Sequence, residues 1–308
     1  LKTRAVREIV QIGPSLFAGT DAGLYVSPNE GVDWEGPYLG DYGVWQVRVA
    51  SDGSIYAGTH PAELFKSLDL GKTWRRLDSF GEIVNKEGWC IPLDPPVPSQ
   101  ARAIVLDKDD PGHIWVGVEV GGILRSIDGG ENWSIVRPGD NPDLHMIFAH
   151  PEVSGMLFAS TGYGRLDGVA EMEEGNAGVF RSDDYGESWR YIWNGIIPRY
   201  SRPMCIDHRT PFGLTVATAP TAFSSYKKVG GAQAMLYRSD DRGETWRSLC
   251  DGVHSPSSAN FHGLVVNPKA VGSVLVGTDT GELWEVDKDS AWGLVAENMS
   301  AVLSILAD

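Results

Sequence analysis

Ser-Asp-Asp-Arg-Gly-Glu-Thr-Trp, residues 239–246, is the stretch that decides the fold, because the chain repeats it. The same Ser-x-Asp-x-Gly-x-Thr-Trp pattern reads SPNEGVDW at 27–34, SLDLGKTW at 67–74, SIDGGENW at 126–133 and SDDYGESW at 182–189. An eroded sixth copy, VDKDSAWG, stands at 286–293. Self-similarity at a period of about 40–60 residues marks an array of one repeated supersecondary unit. Ahead of each octapeptide runs an apolar segment ending in small residues: LFAGT at 16–20, IYAGT at 55–59, IWVGV at 114–118, LFAST at 157–161, LTVAT at 214–218 and VLVGT at 274–278. A further apolar run precedes it, as in VWQVRVA at 44–50, ARAIVLD at 101–107 and FHGLVVN at 261–267. Short runs of this kind with turn residues between them read as antiparallel meanders. Four strands per unit make a propeller blade, and six such units predict an all-β, six-bladed β-propeller of four-stranded antiparallel blades, forming one domain over residues 1–308. The tail AVLSILAD (301–308) is expected to be one more innermost strand, either closing the ring or opening a seventh blade. The run AVREIVQ (5–11) competes for the closing position.

Composition narrows the function classes. Lys and Arg number 26 against 41 Asp and Glu, a net charge of −15. A nucleic-acid partner needs a basic stripe to displace phosphate counterions, so none is expected. The chain has no apolar run long enough for a membrane span of about 20 residues, and a soluble monomer is expected. Cys90, Cys205 and Cys250 lie far apart and cannot all pair, which excludes a disulfide framework. Unpaired cysteines allow a cytoplasmic location, and a start at Leu1 allows a periplasmic or secreted one.

The octapeptide is the Asp-box, or bacterial neuraminidase repeat, and the chain resembles that β-propeller family over nearly its whole length. HMIFAHP (145–151), GGAQAMLYRSDDRGETW (230–246) and VGTDTGELW (276–284) look most like bacterial YVTN/BNR-like repeat proteins described as glycosyl hydrolases. The resemblance implies that the box is structural, that its Trp packs between blades, and that its turn lies away from any active site. Sialidases, xyloglucan-active hydrolases, receptors and photosystem assembly factors share the repeat. The chain departs from the sialidase pattern, having no Arg-Ile-Pro near its start, where TRAVREI stands instead.

Length variation points to one end of the blades. The box turns keep their length, whereas the insertions at 80–100, 162–177, 195–203 and 219–235 all fall in the connections at the opposite end. Long irregular loops in a compact domain are usually binding loops, so an axial site at that end is expected.

The side chains predicted to face it define the chemistry. Asp21, Glu119 and Asp279 follow equivalent strands, and paired carboxylates serve as acid and base in glycoside hydrolysis. Asp21 and Asp279 sit in turns where an Asp also caps its own backbone. For Glu119, in GVEVGG, the turn offers no such reason. His145 and His262 join as general-base candidates, and His60, His145 and His262 together as ligands for a divalent metal ion, ordinary polar lining being the alternative. Arg102 and Arg202 suit an anionic group. Trp45, Tyr163 and Tyr200 offer flat faces for a sugar, and Asn260 a hydrogen-bonding amide. The loops add Arg165, Glu171, Arg199, Tyr226, Lys227 and Lys228. The function expected is a hydrolase or lyase for a small anionic or carbohydrate-like substrate. The alternative is a non-catalytic propeller that binds a protein or peptide through loops 162–177 and 219–235.

Overall fold

The computed structural model describes residues 5–163, 176–221 and 230–307. Six four-stranded antiparallel sheets follow one another, each ordered as the chain runs, and they are the blades of a β-propeller. The first comprises Val6–Ile12, Ser15–Thr20, Gly23–Ser27 and Glu35–Tyr38; the second Gly43–Val49, Ile55–His60, Leu64–Ser67 and Arg75–Arg76. The third holds Ala101–Leu106, Ile114–Val118, Gly122–Ser126 and Ser134–Val136; the fourth Leu144–Ala149, Leu157–Thr161, Gly178–Ser182 and Arg190–Tyr191. Tyr200–Ile206, Leu214–Ala219, Met235–Ser239 and Arg247–Ser248 form the fifth; Phe261–Val266, Val274–Thr278, Leu283–Val286 and Trp292–Ala296 the sixth. By contacts the chain divides into two compact units, one covering Leu1–Ala149 and the other beginning at His150.

The small residues that end each second strand have a steric cause. A Cβ added to Gly19 would lie 2.8 Å from the Val44 carbonyl oxygen, one on Gly58 2.5 Å from that of Ala101, and one on Gly117 2.3 Å from Leu144 Cδ2. Each second strand thus runs directly beneath the first strand of the following blade. Side chains on either side of these contacts make cores between consecutive blades, such as Tyr56, Leu64, Ile104, Val116 and Leu124, all essentially inaccessible to solvent. The tail repeats this relation. A Cβ on Gly277 would lie 2.4 Å from Val302 Cγ1. Val302 donates its N–H to Thr278 (2.9 Å) and accepts from Gly263 (3.2 Å). It therefore holds, against the sixth blade, the place that Val44 holds against the first. The segment AVREIVQ supplies the innermost strand of the first blade.

Every Asp-box builds the same turn. The buried Ser Oγ of residues 27, 67, 126, 182 and 239 accepts the box glycine's N–H at 2.8–2.9 Å. It donates to the oxygen of Asn29, Asp69, Asp128, Asp184 or Asp241 at 2.7–3.1 Å. That oxygen also accepts the N–H four residues on, at 2.8–2.9 Å. The glycine is required, since it stands at positive φ in the first box (Gly31, 84°) as in the fifth (Gly243, 86°). Two of the tryptophans tie blades together, Trp246 Nε1 donating to the Ile192 carbonyl at 2.5 Å and Trp292 Nε1 to that of Leu249 at 2.9 Å. Trp34, Trp74 and Trp189 donate instead to the glycine carbonyl of their own box.

The insertion expected as an irregular loop over 80–100 is instead ordered. It opens with helix α1, Asp78–Glu87, and continues as a hairpin of Cys90–Ile91 with Val97–Pro98. Phe80, Ile83 and Val84 lie at the spacing that puts three apolar side chains on one helix face, and all three pack on the core between the second and third blades. Gly88, left-handed at φ 64°, ends the helix. No helix among the described residues is long and apolar enough to cross a membrane.

Candidate functional site

The residues after three of the second strands share one backbone bond. Asp21, Glu119 and Asp279 donate their N–H groups to the carbonyls of Ala5, Gln100 and Asn260, at 3.2, 2.9 and 3.1 Å. The positions are therefore structurally equivalent, and their side chains diverge in use. Asp279 turns back, its Oδ1 accepting the N–H of Asn260 at 3.0 Å, and so clamps the sixth blade's own strand ends. Asp21 lies within the field of Arg7 and supports its charge. Glu119, one methylene longer, reaches sideways.

Around Glu119 the first unit assembles a polar row. Its Oε2 accepts from the amide of Gln100 and pairs with Arg102 at 3.0 Å. Gln100 precedes the strand that begins at Ala101, and Arg102 lies at its register shift between Ala101 and Ala103. Arg102 in turn lies over the ring of Trp45, 5.2 Å from its centroid, and Arg7 lies over the same ring at 4.6 Å. Burial lowers the pKa of Arg7, with Asp21 opposing the shift and Arg102 adding to it. Trp45 is therefore engaged by two guanidinium groups.

On the other side Glu119 pairs in a β-bridge with Asp143, just ahead of the fourth blade's first strand. The Asp143 N–H donates to Oδ1 of the buried Asn141 at 2.8 Å. His145, only 3% exposed, places Nε2 at 3.4 Å from Asp143 Oδ1. Ligand atoms of Glu119, Asp143 and His145 all lie within 4.8 Å of one another. The turn after Glu119 is held from outside. A Cβ on Gly121 would sit 2.5 Å from the Trp89 ring, so the inserted hairpin's tryptophan packs directly on the backbone. Arg137 donates to the Gly121 carbonyl at 3.0 Å and lies over the Trp89 ring at 5.7 Å.

The remaining expected residues have other surroundings. His60 ends a second-blade strand with its Nδ1 buried and without a hydrogen-bond partner. It and His262, a half-buried residue of the sixth blade, stand outside the Glu119–Asp143–His145 group. In the second unit Tyr163 meets Tyr200 edge-on, centroids 5.3 Å apart, and Arg202 lies over Tyr200 at 5.4 Å. Burial raises the pKa of the Tyr163 phenol, and a hydrogen bond with the backbone of Tyr200 opposes the rise. Asn260 is almost fully buried beside Asp279. Arg199 lies over Trp193 at 4.4 Å. Arg165, Glu171, Tyr226, Lys227 and Lys228 fall outside the described residues, as do the centres of loops 162–177 and 219–235.

Sequence reasoning overlooked Gln100, Asp143 and Trp89. A usable signal existed for one of them: Asp143-x-His145 is a polar pair at strand period. Nothing local marks Trp89, whose position depends on how the insertion folds back.

Comparison with known proteins agrees with this architecture. The BNR-Asp box repeat model matches residues 236–249, which contain the fifth box. The chain is an Asp-box β-propeller. A protein of Neosartorya fischeri named "Probable oligoxyloglucan-reducing end-specific xyloglucanase" is 25% identical to the propeller over 242 residues, covering 70% of it and 28% of that protein. The GH74 xyloglucanase from Xanthomonas campestris superposes with a TM-score of 0.67 at 14% identity, over 94% of this chain and 45% of its own. YCF48 bound to D1 peptide superposes with a TM-score of 0.58 at 20% identity, over 96% of this chain and 82% of its own. The propeller thus spans less than half the length of these xyloglucanase relatives. The two structural likenesses, at such identities, concern the fold alone.

Proposed function

We propose that this propeller is a glycoside hydrolase-like protein whose carbohydrate substrate is handled at Glu119, Asp143 and His145. The observation that carries the reading is the convergence of two carboxylates and an imidazole within 4.8 Å, at the end of the blades opposite the Asp-box turns. Resemblance over 70% of the chain to a protein named as a xyloglucanase supports the substrate class. Arg102 pairs with Glu119 Oε2 at 3.0 Å and the Gln100 amide donates to the same oxygen, so the carboxylate is held in place. A carboxylate so held serves as a base or stabilises positive charge developing at the anomeric carbon. Asp143, with His145 Nε2 at 3.4 Å, supplies the second carboxylate of the pair.

The substrate is neutral rather than anionic. Arg102 is matched by Glu119, and Arg7 is supported by Asp21. No guanidinium of this row is left to balance a substrate charge, and Asp143 adds a negative one. The test is release of reducing ends from xyloglucan oligosaccharides. Glu119→Gln and Asp143→Asn should each lower kcat/KM by 10²-fold or more, about the share that general acid–base groups contribute. Equal turnover by both variants and the parent would end the proposal.

A second reading, peptide binding, is favoured by one observation: the chain matches 82% of the length of YCF48, solved with a bound peptide, against 28% of the named xyloglucanase. On that reading E119Q and D143N leave partner binding unchanged, and replacements in 162–177 or 219–235 abolish it.

A further inference from the structure

We propose that Glu119, Asp143 and His145 form a site for one divalent transition-metal ion of the zinc or cobalt class. The inference goes beyond the hydrolase reading and does not depend on it, because the ion is detected by binding alone.

Three features carry it. The first is the donor set: among the described residues, one group brings three ligand-bearing side chains of this kind within 4.8 Å, and it mixes an imidazole with two carboxylates. Such N/O sets suit zinc and its neighbours, whereas calcium and magnesium take oxygen alone. The second is a distance. His145 Nε2 and Asp143 Oδ1 stand 3.4 Å apart, long for a hydrogen bond between a nitrogen and a carboxylate. Two ligands at about 2.0–2.1 Å from a tetrahedral zinc are separated by roughly 3.3–3.4 Å, the edge of the tetrahedron. The Glu119 carboxylate lies within 4.8 Å of both, close enough for side-chain rotation to complete the set.

The third is the surrounding shell. Metal-binding carboxylates are themselves hydrogen-bonded, which fixes their orientation. Gln100 and Arg102 both hold Oε2 of Glu119, and the second oxygen carries neither bond. Trp45 steadies Arg102 in turn. The three ligand side chains are only 16%, 13% and 4% exposed, so an ion would exchange most of its water for protein donors. Two carboxylates against one guanidinium leave the site a net charge of −1, which an ion inverts. Affinity should therefore be moderate, in the micromolar range. An ion so bound engages both carboxylates that hydrolysis needs, so it should suppress turnover if the chain is a hydrolase.

The experiment is titration of chelator-treated protein with Zn²⁺ by calorimetry and with Co²⁺ by visible absorption. One ion per chain is expected, with Co²⁺ giving the intense bands of a four-coordinate site. Glu119→Gln and Asp143→Asn, near-isosteric changes, should each weaken binding at least 10-fold. Gln100→Ala should weaken it less, and His60→Asn should leave it unchanged. No uptake of either ion at millimolar concentration would overturn the site. So would equal affinity in the parent, E119Q and D143N. Either result leaves the oligosaccharide assay to judge the hydrolase reading separately, and metal binding without hydrolysis leaves the site standing alone.

Discussion

Asn29 offers the sharpest test of how the Asp-box works. The first box carries Asn where the others have Asp, and Asp33 where they carry Thr, Asn or Ser. The structure shows an exchange of roles. Asn29 Oδ1 accepts from Ser27 Oγ and from the Asp33 N–H, as the aspartates do, while its Nδ2 donates to Asp33 Oδ2 at 2.9 Å. In the second box the donor is Thr73 Oγ1 and the acceptor Asp69, at 2.6 Å. Asn29→Asp replaces this donor with a second carboxylate. The exposed hydrogen bond is worth about 1 kcal/mol. Two unit charges at such a distance repel by about 1 kcal/mol even at the dielectric of water. N29D should therefore cost about 2 kcal/mol at pH 7 and low salt, read from urea unfolding. Added salt should recover part of the repulsive half. Asp33→Thr in the N29D background rebuilds the pattern of the second box, so the double variant should be more stable than N29D by about the same 2 kcal/mol. An N29D protein within about 0.5 kcal/mol of the parent, or a double variant no better than N29D, would refute the account.

Three further outcomes follow from the same geometry. Asp69 is held down to about 2 by Thr73 and Ser67, and Asp128 is lowered by the backbone and side chain of Asn132. Both folded pKa values lie below the unfolded value of about 3.9, so their stabilisation is present above pH 4 and is lost as the pH falls toward 2. Acid unfolding followed by tryptophan fluorescence should lose part of its pH dependence in D69N and D128N; an unchanged acid limb in both would contradict this. Burial pushes the Cys205 thiol up to about 12, and Cys90 is exposed. A thiol reagent at pH 8 should modify Cys90 within minutes and Cys205 only on unfolding, as peptide mass spectrometry would show; early labelling of Cys205 would contradict its burial. Gly58→Ala drives a Cβ to 2.5 Å from a backbone oxygen and should cost about 1–3 kcal/mol. Gly293→Ala meets nothing within 4 Å and should be near neutral, with thermal unfolding as the measure.

Part of the candidate site's geometry was legible in the chain, and what escaped did so for particular reasons. Asp21, Glu119 and Asp279 follow equivalent strands of the repeat, and their N–H groups make the same kind of backbone bond. Their different roles were not legible, because capping or reaching depends on one methylene and on the neighbour within reach. Arg102 reads as a hand for an anion, yet it is matched by Glu119 and stacked on Trp45. The helix at 78–87 shows an apolar face of only three residues inside a stretch dense in charge and glycine, a weak signal beside the surrounding strands.

By itself, the sequence determined the blades and their turns. Alternation within a strand and the Asp-box hydrogen bonds act over two to four residues, so each repeat carries its own instructions. Tertiary structure decided which polar groups meet. Gln100 finds Glu119 only because two strands of one blade pair in register, and Asp143 finds it only because the next inner strand crosses over Gly117. Trp89 reaches Gly121 only because a helix packs between two blades. Contacts of this kind form between segments whose spacing along the chain sets no geometry, and packing alone brings them within a few ångströms.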